Sequence, residues 1–340
     1  MSRFYEIVLG QSSSGRAGGT LTSAPGGVND PGALLVEMDI PVAAYDTPGG
    51  AAQIVISGVS IQTISQGADF NGAPITVSGG MTAGLPLANP SQAGVLIQGQ
   101  IYQAYGNWIG ENMSLVLQIV PAGTVTTPPA TPLNIVFDWK KGTDLTAAIN
   151  TLLTTAFPGY TANINITPNL VTTQDEQAFH GNLTQFSQYL RELSQSIIGP
   201  TLNGQPYAGV GVVLSDQTFY VQDGSSQQAP NTTYSAPKQI AFTDMIGQPT
   251  WIDTQTLQFN TVMRADITIG DYVLMPAGLN PVTTQPGAIP VGIPARDKSI
   301  FQGTWQVVMM RHVGNSRDPS ATAWVTTFNA IQAVAPQAAS

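Results

Sequence analysis

In Gly94-Val95-Leu96-Ile97-Gln98-Gly99-Gln100-Ile101-Tyr102-Gln103-Ala104-Tyr105, the alternate residues Val95, Ile97, Gly99, Ile101, Gln103 and Tyr105 are mostly apolar. Side chains of a strand point to opposite faces in turn, so this period of two predicts a half-buried β-strand. The pattern recurs elsewhere in the chain. Trp305, Val307, Met309 and Val313, interrupted by Arg311, predict a strand near the end, and Trp324, Thr326, Phe328 and Ala330 predict the last one. Further strands are expected at 3–9, 33–39, 53–64, 74–78, 114–120, 133–138, 209–222, 256–269 and 271–274. Between them, 35 glycines and 25 prolines supply the turns of a many-stranded β architecture.

Two segments follow a helical period instead. Leu145, Ile149, Leu152 and Leu153 fall at i, i+4, i+7 and i+8 behind Thr143, the expected N-cap, with Asp144 in the first turn. They predict a helix over about 143–157, stopped by Pro158-Gly159. Leu183, Phe186, Leu190, Leu193 and Ile197 predict a second helix over about 182–198, stopped by Gly199-Pro200. Both stripes read as faces packed on a sheet. The Pro/Thr-rich stretch 120–133 reads as a linker, and 223–238 and 275–296 as long loops. A 340-residue chain favours two domains. The expected fold is therefore mainly β with inserted helices (α+β), in two parts. A tube-like β-barrel or sandwich occupies 1–126, and a second one, carrying both helices, occupies 127–340.

Composition narrows the function classes. Only 9% of residues are charged, against roughly 25% in an average soluble domain. Hydrophobic content is 42%, so Gln, Asn, Ser, Thr, Gly and Pro replace the missing charge, which is not the composition of a disordered chain. Cores of protein–protein interfaces are poor in charge. Such a composition fits a surface committed to neighbours, and equally a secreted β-rich domain with a neutral polar coat. A net charge of −9, with no basic run longer than Lys140-Lys141, argues against non-specific nucleic-acid binding. An acidic wall can instead let nucleic acid pass without sticking. The absence of cysteine excludes disulfides, thiolate metal sites and a cysteine nucleophile. Met1-Ser2-Arg3-Phe4-Tyr5-Glu6 lacks the apolar core of a secretory signal, and no stretch approaches the ~18 apolar residues of a membrane span. A soluble protein with no membrane partner is expected.

Candidate chemistry is sparse. His180 stands before the second helix and His312 within a strand, and no Gly-x-Ser-x-Gly elbow supports a triad with either. Asp175-Glu176 is the one adjacent acidic pair, and Arg264-Ala265-Asp266 reads as alternating strand residues. Neither has metal-ligand spacing. Glu6, Glu37, Glu111, Glu176 and Glu192 form no local pair for glycoside hydrolysis. The glycines at Gly15 to Gly19 and at Gly26-Gly27 lack the lysine of a phosphate loop. Trp108, Trp139, Trp251, Trp305 and Trp324 read as core residues or interface anchors. No catalytic, cofactor-binding or metal-binding residue is assigned, and no cofactor is expected.

The succession of segments resembles the baseplate hub proteins of contractile-tailed bacteriophages. In the first half it rests on Ile56 to Ser65, Gly79-Gly80-Met81, Gly84-Leu85-Pro86-Leu87, and Gly94 to Gly110. In the second it rests on Phe137 to Leu145, Val212 to Gln222, Asp244 to Trp251, and Val262-Met263-Arg264-Ala265-Asp266-Ile267 with Ile269-Gly270-Asp271. The resemblance implies a structural, non-enzymatic virion protein of the tail baseplate, assembled in the host cytoplasm. It implies a homotrimer whose two barrels per subunit make a pseudo-sixfold ring, joining the tail tube or tube-initiator proteins to a central spike. Tape-measure and wedge proteins are further implied neighbours, and DNA passes through the lumen. The alternatives are a hexameric tube initiator or adaptor ring, and a tail peptidoglycan hydrolase. The stretch 10–32 matches no hub element.

Overall fold

The alternating segments do form strands, and most of these join one sheet. The computed structural model describes residues 3–12, 15, 18–42, 51–82, 89–121, 135–158, 160–202, 205–207, 209–215, 218–223, 237–252, 256–276 and 301–332. The first part runs β1 (Arg3–Leu9), β2 (Gly19–Thr22), β3 (Leu35–Val42), β4 (Ala52–Ser57), helix α1 (Ile61–Ser65), β5 (Pro74–Met81), β6 (Gly94–Ile109) and β7 (Asn112–Pro121). There follow β8 (Ile135–Trp139), α2 (Leu145–Ala156), β9 (Thr161–Asn165), β10 (Glu176–His180), α3 (Leu183–Ile198), β11 (Thr201–Leu202), β12 (Gln205–Pro206), β13 (Gly211–Ser215) and β14 (Thr218–Gln222). The last part is β15 (Lys238–Gln239), β16 (Thr250–Trp251), β17 (Thr256–Val262), β18 (Tyr272–Met275), β19 (Gly303–Asn315) and β20 (Trp324–Gln332).

Both helices appear where their stripes place them. The cap of α2 is Asp144 rather than Thr143: its carboxylate accepts from Thr146 N at 2.9 Å, while the Thr143 hydroxyl donates to Lys140 O. Asn182 caps α3 through Gln185 N. The expected run 209–222 is two strands, β13 and β14, paired antiparallel, and two other expected strands are too long. The run 53–64 leaves the sheet at Ser57, because Ser60 accepts from Thr63 N and opens α1. The run 256–269 ends at Val262, so Arg264-Ala265-Asp266 is an irregular segment and not a strand. Residues 122–134, which include most of the expected linker and the 126/127 boundary, lie outside the described residues, as do 224–236 and 277–296 from the two expected loops.

The main sheet has 13 strands among the described residues, in the order β16-β17-β20-β19-β3-β4-β7-β6-β5-β1-β2, with β15 and β18 branching at β19. It is mainly antiparallel and traces an open path with ends at β2 and β16, not the closed rings expected from tube-like barrels. Its centre is the β3–β19 pairing, Glu37↔Asn315 through Val42↔Met310, which joins the two parts in one ladder. The segment β8–β14 forms smaller sheets, with α2 and α3 packed on them around a separate core that includes Phe137, Trp139, Phe186 and Phe219. The first and last parts have their own cores, the first including Tyr5, Ile54 and Ile75 and the last Phe259, Trp305 and Phe328.

Three bulges correct the predicted faces. On β6, Val77 pairs with Ile97 but Ser78 with Val95, so Leu96 is an extra residue; Ile101 pairs with Ile119 but Gln103 with Gln118, so Tyr102 is another. Each insertion swaps the faces of everything beyond it. Only Ile97, Gly99 and Ile101 keep the expected inward face; Leu96 and Ala104 are also buried, while Val95, Gln103 and Tyr105 point out. On β19 the skipped residue is Val308, so Met310 and His312 are buried and Met309 and Arg311 face outward. On β20, with no such shift within the strand, Trp324, Thr326, Phe328 and Ala330 are all buried as predicted.

Candidate assembly surfaces and the seam between the parts

Four of the chain's seven arginines sit where the first and last parts meet. Arg264 is the deepest, with its side chain 3% exposed. Its Nε and Nη2 donate to the two oxygens of Asp266 at 2.7 and 2.6 Å, and its Nη1 to Asp244 Oδ2 at 3.3 Å. Gln92, from the first part, donates to the same Asp244 oxygen at 2.9 Å, and its carbonyl accepts from Ala265 N. Arg3 donates to the carbonyls of Asn315, Asp318 and Ser320, tying β1 to the loop after β19. Arg311 makes a two-bond pair with Asp39 on β3, and Arg317 donates to Ala33 O. The sequence alone does not show these roles. The one signal was an Arg and an Asp two residues apart in an otherwise apolar run of a charge-poor chain.

Packing locks the same seam. Trp324 and Met263 belong to the last part, yet both lie in the core of the first. The Trp324 indole N–H donates to Gly80 O at 2.8 Å. A side chain at Gly314 would press on the Trp324 ring at 2.7 Å, and one at Gly79 would meet Leu96 at 2.6 Å and Met263 Sδ at 3.0 Å. Part of the space beside each glycine is filled from across the seam, by Met38 at Gly314 and by Met263 at Gly79.

The histidines are far apart in the fold. His312, 1% exposed, shares a 2.8 Å hydrogen bond between Nδ1 and Thr326 Oγ1, and burial drops its pKa to about 3. His180 is on β10 with its ring against Phe186 and Tyr189, and burial lowers its pKa as well. Burial disfavours the charged form of both rings, and of His312 most strongly, whereas the unfolded chain binds protons below about pH 6.5. Stability is full above that pH and falls on acidification toward about 3. A His312→Gln variant is expected to flatten the dependence between about pH 6.5 and about pH 5.5, where ordinary carboxylates stay charged. Denaturant midpoints across that window check it; an unchanged slope would remove His312 as the cause.

The acidic pair acts locally. Asp175 accepts from Lys141 N, and Glu176 from Gln174 Nε2. Among the described residues no three His, Asp or Glu side chains gather as metal ligands.

Among the described residues, three exposed surfaces are rich in amide or apolar side chains. One is the face of the main sheet turned away from its cores, where Gln103, Gln118, Gln53 and Asp39 stand in one cross-strand row and Gln258 bonds Asn329 in another. Its charges include Asp39 and Glu37, of which Asp39 is held by Arg311 and Glu37 by Asn315. The second is the β6–β7 hairpin tip, where Trp108 and Ile109 are 62% and 74% exposed. The third is the outer face of the β8–β10 ribbon, where Phe179 pairs with Val136 in register and both are more than half exposed. Of the five tryptophans, Trp139, Trp305 and Trp324 are core residues, and Trp108 is the most exposed.

No family model matches the chain, and no curated protein matches it. Solved structures do. The tail protein from Neisseria meningitidis MC58 matches with a TM-score of 0.50 at 10% identity, over 98% of this chain and 97% of that one. The 43 kDa tail protein of prophage MuSo2 from Shewanella oneidensis matches with a TM-score of 0.50 at 8% identity, over 97% and 98%. At these identities the likeness is one of fold, and it extends over nearly the whole of each chain.

Proposed function

We propose that this chain is a non-enzymatic structural protein of a phage-type tail, a baseplate hub built as a homotrimer of pseudo-sixfold shape. The observation that carries the reading is the single sheet crossing the seam. One subunit then presents two β-rich units, 1–126 and 127–340, joined by the β3–β19 ladder, and three copies supply six units around an axis. The sheet's two open ends, β2 and β16, call for neighbours that cover them. The amide-rich face of that sheet is the wall we assign to the lumen. Its Gln and Asn rows are neutral, its Arg311 is paired with Asp39, and the chain's net charge of −9 repels DNA. The full-length likeness of fold to two tail proteins supports the same role. Tail-tube or tube-initiator proteins on one side and a spike on the other complete the setting, within the virion.

Native mass spectrometry of the purified chain over a concentration range tests this. Trimers are the expected species. A hexamer would reassign the chain to a tube initiator or adaptor ring, and a monomer at tens of micromolar would remove the ring.

A further inference from the structure

We propose that the cavity between β1 and the turn after β19 is a carboxylate-binding site, with Arg317 as its anchor. The cavity has a volume of about 400 Å³ and is built from both sides of the seam. β1 supplies Arg3 and Tyr5, the segment before β3 supplies Asn29 and Asp30, and the turn after β19 supplies Ser316 and Arg317. Backbone contacts hold the turn in place. Ser316 N donates to Val36 O, and Val36 N donates to the Ser316 hydroxyl at 2.9 Å.

The charges in this cavity are unbalanced. Of the four seam arginines, Arg264 and Arg311 have carboxylate partners, and Arg3 and Arg317 have none among the described residues. Arg3 is 7% exposed, and the acceptors of its guanidinium are neutral carbonyls. A buried charge is unfavourable without a counter-ion, and an anion alongside relieves it. Asp30 lines the cavity and accepts from Gly32 N. Asp318 acts on Arg3 from the neighbouring cleft, where its carboxylate accepts from Ser320 N. Two arginines against Asp30 leave the lining with a net positive charge, in a chain of net −9.

The free donors define the ligand. Arg317 uses Nη2 on the carbonyls of Pro31 and Ala33, which leaves Nε and Nη1 without an acceptor among the described residues. The Ser316 hydroxyl proton and the Asn29 amide are free there too. A carboxylate accepts through both oxygens and carries a single charge, so it matches this lining. A cation is repelled by the arginines, and a phosphate dianion sets a second charge against Asp30. The cavity falls within the ~300–1,000 Å³ of small-ligand sites, with room for the group that bears the carboxylate.

The side-chain Nε–H signals of only seven arginines make nuclear magnetic resonance a direct test. Acetate, exchanged for chloride at constant ionic strength, is expected to shift the Arg317 signal along a saturable curve and to leave that of Arg191 unmoved. Arg317→Gln is expected to raise the acetate dissociation constant at least about tenfold, through loss of charge-assisted hydrogen bonds. Asp30→Asn keeps an acceptor for Gly32 N and removes the opposing charge, so it is expected to lower that constant about threefold. If a second copy supplies the carboxylate, the oligomer gives no acetate response and Arg317→Gln weakens the oligomer about tenfold instead. No acetate response in the wild type or in Asp30→Asn, with an oligomer indifferent to Arg317→Gln, would overturn the site. A chain that stays monomeric and binds acetate would keep the site and remove the ring.

Discussion

Replacing Arg264 by alanine is expected to cost roughly 3–5 kcal/mol of stability, the range for removing one partner from a buried ion pair. The guanidinium is 3% exposed and joins Asp244, itself 12% exposed, to Asp266. Without it Asp244 keeps the Gln92 amide and loses its cation. Arg311→Ala is the internal control, because that pair has side chains 50% and 44% exposed. Solvent screening limits its worth to about 1 kcal/mol or less. Denaturant unfolding of both variants separates the cases. Equal costs would show that the Arg264 cluster is as well solvated as the surface pair and does not lock the seam.

Trp324→Ala is expected to cost about 3–5 kcal/mol, as for other large aromatic truncations in a core. Its reach is the more telling outcome. The residue lies on the last strand, but its ring fills the first part's core, under the Arg3 guanidinium at 6.0 Å and over Gly314. Hydrogen-exchange protection of β1 and β5 should therefore fall in the variant, although neither strand pairs with β20. Loss of protection confined to β17, β19 and β20 would show that the parts are stabilised independently.

The same residues explain what could and could not be read from the chain. Leu145, Ile149, Leu152 and Leu153 declare a helix because the period is local and Pro158-Gly159 ends it within the same few residues. Trp324 through Ala330 declare an inward strand face because no bulge interrupts the alternation there. β6 and β19 carry the same alternation with one residue too many at Leu96, Tyr102 and Val308. A bulge is set by the partner strand's register, which local pattern does not contain, so the predicted faces of Val95, Gln103, Tyr105 and Met309 came out reversed.

The assembly surfaces follow this division. That Trp108 is a possible anchor is visible in the sequence; that it is exposed while Trp139, Trp305 and Trp324 are buried depends on where each strand passes beyond its core. By itself, the sequence determined the β-rich class, the two helices, the shortage of charge and the absence of cysteine. All of these are properties of composition and of spacing within a few residues. Tertiary structure alone decided that the first and last parts share one sheet through β3 and β19, that Trp324 and Met263 fill the other part's core, and that Arg264 lies buried between two aspartates. Each of these joins residues far apart in the chain, and their partners are chosen by the packing of the whole.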